Sequence, residues 1–226
     1  MEDTYDLKAY KEEYRRVLDL AESKPLEKTA EALDLYYDVC CGSVLVAEAS
    51  LREQESEWEI ASLCKVLLKY AAWLEEFDHM LDSAYRVVSR FEDCLMDHPR
   101  LMLRLLELEL TIVRRIEALN DHELSHAEYL ERNISLYKRN IHFADKDQLD
   151  SIEQTGYRLK KDPVEWTARW EEVIDEADRM TEEKLKGYPR GMGFCHAYWH
   201  ERQKALRKLG VSWRCPSEMN PRTRFD

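Results

Sequence analysis

Apolar residues recur at three- and four-residue intervals along most of this chain, and nowhere do they alternate as they would on a half-buried strand. Leu7, Tyr10, Tyr14, Val17 and Leu18 make one helical stripe. A second helix is predicted from Pro25 to about residue 50, with Gly42 a weak point inside it. The stretch 55–97 reads helical almost throughout, with room for a break at 76–82, and His98-Pro99 ends it. Residues 100–119 are the most apolar helix. Asn120-Asp121 predicts an N-cap for a helix over 122–141, and a short helix is expected around 146–155, stopping at Gly156. Asp162-Pro163-Val164-Glu165 then places an N-cap, an N1 proline and an N3 glutamate in order. The helix it starts is expected to close at Gly187, and a last one, 192–209, at Gly210. Six glycines and six prolines in 226 residues agree with long helices and short turns. The fold class is all-α: seven or eight helices in a bundle or irregular array, followed by an extended basic C-terminal segment.

Charge divides the chain. Residues 1–183 hold 24 Lys+Arg and 43 Asp+Glu, a net of −19; residues 184–226 hold 10 and 3, a net of +7. The expected organisation is an acidic helical body, 1–187, and a basic segment, 188–226, which opposite charge should dock on that body. A net charge of −12 argues against nucleic-acid binding by the body and leaves it open for the tail. The N-terminus carries no apolar signal region, and LMLRLLELEL is interrupted by Arg104, Glu107 and Glu109, so no membrane segment is expected. Six irregularly spaced cysteines without secretory context read as reduced thiols in a cytoplasmic protein. The adjacent Cys40 and Cys41 would point apart on a helix, as packing residues.

Several constellations carry chemistry on paper. His122-Glu123-Leu-Ser-His126 matches HExxH, which on a helix sets two imidazoles on one face to hold zinc while the glutamate activates water. Over these five residues it resembles the zincin metallopeptidase signature; Asp121 and Glu128 depart from it, and no third ligand declares itself. Glu76–His79 and Glu123–His126 are both ExxH, a pattern shared with ferritin-like di-iron bundles, in which Glu48 and Glu107 or Glu109 would complete the set. Composition alone accounts for both. Cys195, His196, His200 and Cys215 satisfy a zinc site by type but lack the usual knuckle. Arg190 before His196, and Arg115 before His122, resemble the Arg-x4–6-His pattern of HEPN-type RNases, without the polar residue that should follow the arginine.

Gly191-Met-Gly193 could offer backbone N–H groups to an anion beside Arg190 and Arg214, and Trp199 and Trp213 could stack on a ring. No catalytic constellation is complete, aromatic residues are plentiful and charge is polarised, so the sequence points to a non-enzymatic protein that binds a macromolecular partner, a protein, without cofactor. The contact residues would be Arg190, Trp199, Trp213 and Arg214. One alternative is a zinc- or iron-dependent hydrolase or oxidase using His122, Glu123 and His126. The other is an acidic phosphate mimic that inhibits a nucleic-acid enzyme.

Overall fold

Helices begin here where a side chain can take up the first loose N–H groups. Asp6 accepts from the Ala9 amide, Thr29 from Ala32 and Thr167 from Trp170, opening the first, second and seventh helices. A computed structural model describes residues 6–122, 125–154 and 159–225. Among them are nine α-helices and no strand: α1 Leu7–Glu22, α2 Ala30–Glu53, α3 Ile60–Glu75, α4 Leu81–Glu92, α5 Pro99–Asn120, α6 Ser125–Asp145, α7 Ala168–Lys184, α8 Phe194–Lys208 and α9 Pro216–Met219. The chain is all-α. The contacts divide it into two compact units elsewhere than at residue 187: Met1–Met96 with Leu101–Ile134, and Asp97–Arg100 with Ser135–Asp226. The first unit holds 15 Lys+Arg and 29 Asp+Glu, a net of −14, and the second 19 and 17, a net of +2.

In the first unit α2 is the central helix, packed by α1, α3 and α4. Its Tyr36, Val39, Cys40, Val44 and Ala47 are buried with Leu67 and Leu74 of α3, Phe91 of α4 and Leu105 and Ile112 of α5. At Gly42 α1 comes close: a Cβ there would stand 2.9 Å from the Tyr14 ring. The helical stretch 55–97 breaks at Phe77, whose extended backbone is followed by a 3₁₀ turn, Asp78–Met80. Arg115 of α5 ties down that break, bonding the Glu75 carbonyl and pairing with Glu75 and Asp78.

The second unit is built around a tryptophan core. Trp170, Ile174 and Ala177 of α7 pack on Ala205 and Leu206 of α8 and on Val211, Trp213 and Cys215 beyond it. The capping box at Asp162 forms as its residues predict, yet it caps a 3₁₀ turn, Pro163–Trp166. Thr167 then turns extended and caps α7 anew. The short helix expected at 146–155 reduces to a 3₁₀ turn, Leu149–Ser151, because α6 runs on to Asp145; Gly156 lies outside the described residues. The C-terminal segment is without regular structure over 211–215, forms the single-turn α9 and then turns again over 221–223, so it is not extended throughout.

Candidate functional site

The basic segment first of all holds its own unit together. Arg202 of α8 is buried and spans two carboxylates: its Nε donates to Asp178 at 2.6 Å, and its Nη2 donates to Asp178 at 2.8 Å and to Asp97 at 2.6 Å. Its guanidinium also lies 5.3 Å from the Trp213 ring and 5.6 Å from Trp170. Burial pushes the two acids up, but their outcomes differ. Asp97, the more open of the pair, is held below the usual range by Arg202 and Lys161, whereas burial lifts Asp178 to about 6 despite Arg202.

The four residues expected to face a partner are therefore divided. Trp213 is only 4% exposed and its indole N–H donates to Glu165 at 2.8 Å, so it cannot stack on a ligand. Its burial follows from the apolar pocket that α7 and α8 leave for it, a tertiary effect invisible in a sequence with no helical period there. The Arg214 guanidinium and amide sit on Asp162, at 3.1 Å and 2.7 Å, which commits the arginine to its own unit. Trp199 is half-buried between His196 and Phe225. Arg190 is exposed, its guanidinium 5.1 Å above the Phe194 ring.

What the fold exposes instead is the turn between α7 and α8. Gly187 and Gly193 take left-handed φ values of +78° and +82°, and the turn between them projects Met192, 94% exposed, and Tyr188, 53% exposed. A depression of about 420 Å³ is lined by Tyr188, Pro189, Gly191, Met192, Gly193 and Phe194. Tyr188, Phe194 and Tyr198 form an aromatic row with ring centroids 6.2 Å apart at each step. No Asp or Glu occurs from Lys184 to His200, where Lys184, Lys186 and Arg190 are all exposed. A methionine flanked by two glycines belongs to no helical stripe; that was the signal in the sequence for Met192, read there only as backbone for an anion.

The metal constellations come apart. Asp121 takes a left-handed φ of +48° after α5, and α6 starts only at Ser125, so His122 precedes the helix that carries His126. Glu123 lies outside the described residues. His126 instead meets Glu109, Nε2 to Oε1 at 2.9 Å. Of the other carboxylates in the di-iron pattern, Glu48 pairs with Arg90 and Glu76 with Lys28. Among the described residues no three His, Cys, Asp or Glu side chains are placed to share a metal ion.

Comparison of the chain with protein-family models, with curated proteins and with solved structures finds no match. The site must be judged from its own chemistry.

Proposed function

We propose that the chain is a non-enzymatic interaction protein whose contact element is the α7–α8 turn, Tyr188–Phe194, and whose partner is a protein with an acidic surface around an apolar recess. The exposure of Met192 carries the reading. A methionine almost wholly in water contributes nothing to its own fold, and a flexible thioether suits insertion into another molecule's pocket. Tyr188 and the Arg190–Phe194 stack supply amphipathic contact area beside it. The exposed cations of 184–190 select an acidic surround. Arg190 and Trp199 stay in the proposed contact region; Trp213 belongs to the core of the unit, and Arg214, though exposed, is engaged by Asp162. The same proposal sets the protein in the cytoplasm, supported by six cysteines that form no disulfide, four of them buried. Among the described residues no helix is long and apolar enough to cross a membrane.

Photo-crosslinking from position 192 in the source cell tests this, with the same crosslinker at Lys8, an exposed residue of α1, as reference. The expected result is a discrete adduct with one acidic protein, formed from 192 alone and competed by unlabelled wild type but not by Met192→Asp. Identical adducts from both positions, or none from 192, count against it. A second reading, an anionic cover for a basic groove, draws support from the net −14 carried by the first unit alone. Binding to a nucleic-acid enzyme that is indifferent to salt would exclude it.

A further inference from the structure

His126, bonded to the buried Glu109, lines a second cavity, in the first unit and unrelated to the α7–α8 turn. This cavity measures about 360 Å³ and is lined by Asp82, Tyr85, Val113, Ile116, Ser125 and His126. Glu109, Val113 and Ile116 lie at i, i+4 and i+7 on α5, so the carboxylate shares the helix face that floors it. Glu109 is fully buried; one carboxylate oxygen bonds His126 and the other, Oε2, has no hydrogen-bond partner. Burial pushes its pKa up against the pull of His126. The Tyr85 ring meets the His126 ring edge-on at 5.9 Å, and Tyr129 stacks on it at 5.7 Å.

We propose that this cavity is a binding site for a small organic cation, an alkyl- or arylammonium. Its polar lining is acidic or accepting: the Asp82 carboxylate at the rim, the Ser125 hydroxyl and the imidazole of His126. With Nε2–H given to Glu109, the remaining ring nitrogen, Nδ1, accepts, which is what an ammonium group needs. Among the described residues no Lys or Arg lines the cavity, and the unit's net −14 raises the local concentration of cations and lowers that of anions. Val113 and Ile116 take the apolar body of the ligand, and the Tyr85 ring its charged end. The volume lies in the range of small-molecule sites. Glu109, bonded to the far side of the ring, holds the imidazole in place and polarises its free nitrogen as an acceptor for such a ligand.

The test uses the full-length protein at physiological salt, benzylammonium as probe and benzyl alcohol as its neutral counterpart. Titration is followed by calorimetry and by the His126 and Tyr85 ring resonances. Benzylammonium is expected to bind at least about tenfold more tightly than the alcohol, moving both sets of resonances. Glu109→Gln keeps an acceptor for His126 and should erase about tenfold of that preference, leaving the alcohol unchanged. Asp82→Asn, an exposed change that leaves folding intact, should erase a smaller part. Equal affinity for amine and alcohol would reduce the site to an apolar hole. Unmoved His126 resonances, or tight amine binding that survives both substitutions, would place the cation elsewhere on the acidic surface. Each of these outcomes overturns the proposal.

Discussion

Raising the pH should weaken the second unit through one residue, His98. Its buried ring lies between two carboxylates one turn apart on α7: Nε2 is 3.0 Å from Asp175 and Nδ1 is 3.4 Å from Glu171. Burial works against the charged ring, but the two acids outweigh it and raise the pKa from 6.5 to about 9. A group whose pKa is raised on folding stabilises fully below its unfolded value and loses that effect as pH climbs through the folded one. The difference corresponds to about 3 kcal/mol, reduced to about 2 kcal/mol by solvent screening at the partly open Asp175. By pH 8.5 about three-quarters of it should be gone. This window lies above the range in which Asp178, raised to about 6, titrates. Urea unfolding followed by tryptophan fluorescence, at half-unit steps from pH 7 to 8.5, measures the slope. Wild type should lose stability across the window, whereas His98→Gln should start lower and stay flat. The same slope in both proteins, or a His98 ring titrating near 6.5 by NMR, would refute the reasoning.

Arg202→Met should destabilise the second unit by about 3–5 kcal/mol, since it strands the buried Asp178 without its cation and leaves Asp97 to Lys161 alone; chemical denaturation reads it. Gly42→Ala should destabilise the first unit by about 1 kcal/mol net, because the 2.9 Å approach to Tyr14 outweighs the usual gain in helix propensity; thermal melts of the two proteins give the sign. Trp213→Ala should cost about 3–5 kcal/mol and leave Glu165 without its indole donor, with Trp213→Phe costing less, measured in the same way. Burial holds the Cys40 thiol protonated and Cys94 at about 12, so brief alkylation at pH 8 should label Cys41 well before either; peptide mapping decides.

Helical spacing carried the fold class because an amphipathic stripe is a local property, present before any packing. The turn signals were less transferable. Asp162 and Glu165 form their box, but the sequence holds a second capping residue, Thr167, whose hydroxyl competes for the helix start and wins α7. His122 and His126 look like neighbours only if the helix phase continues through 121–125. The left-handed Asp121 breaks that phase, and nothing in its residue type demands it. The tail's charge spoke for internal pairing in general, while the particular partners Asp97, Asp162 and Asp178 depend on distant chain segments meeting. Trp213 counted as an exposed aromatic because a stretch without helical period looks open; the core that receives it is tertiary. Glu109 was visible as a charge within an apolar helix, but its burial beside His126 was not.

Asp97–Arg100, four residues long, belongs to the second unit. Through it the unit obtains the carbonyl that receives the Trp170 indole, half the countercharge of Arg202, the His98 clamp and the arginine that holds Asp145. In genetic terms this makes the unit immovable. A contiguous stretch 135–226 carries most of its mass and lacks these four fastenings, so a cut placed there would yield a fragment with a half-paired buried arginine. Gene fusion or shuffling could transplant this half of the chain only together with a tetrapeptide encoded far upstream of it.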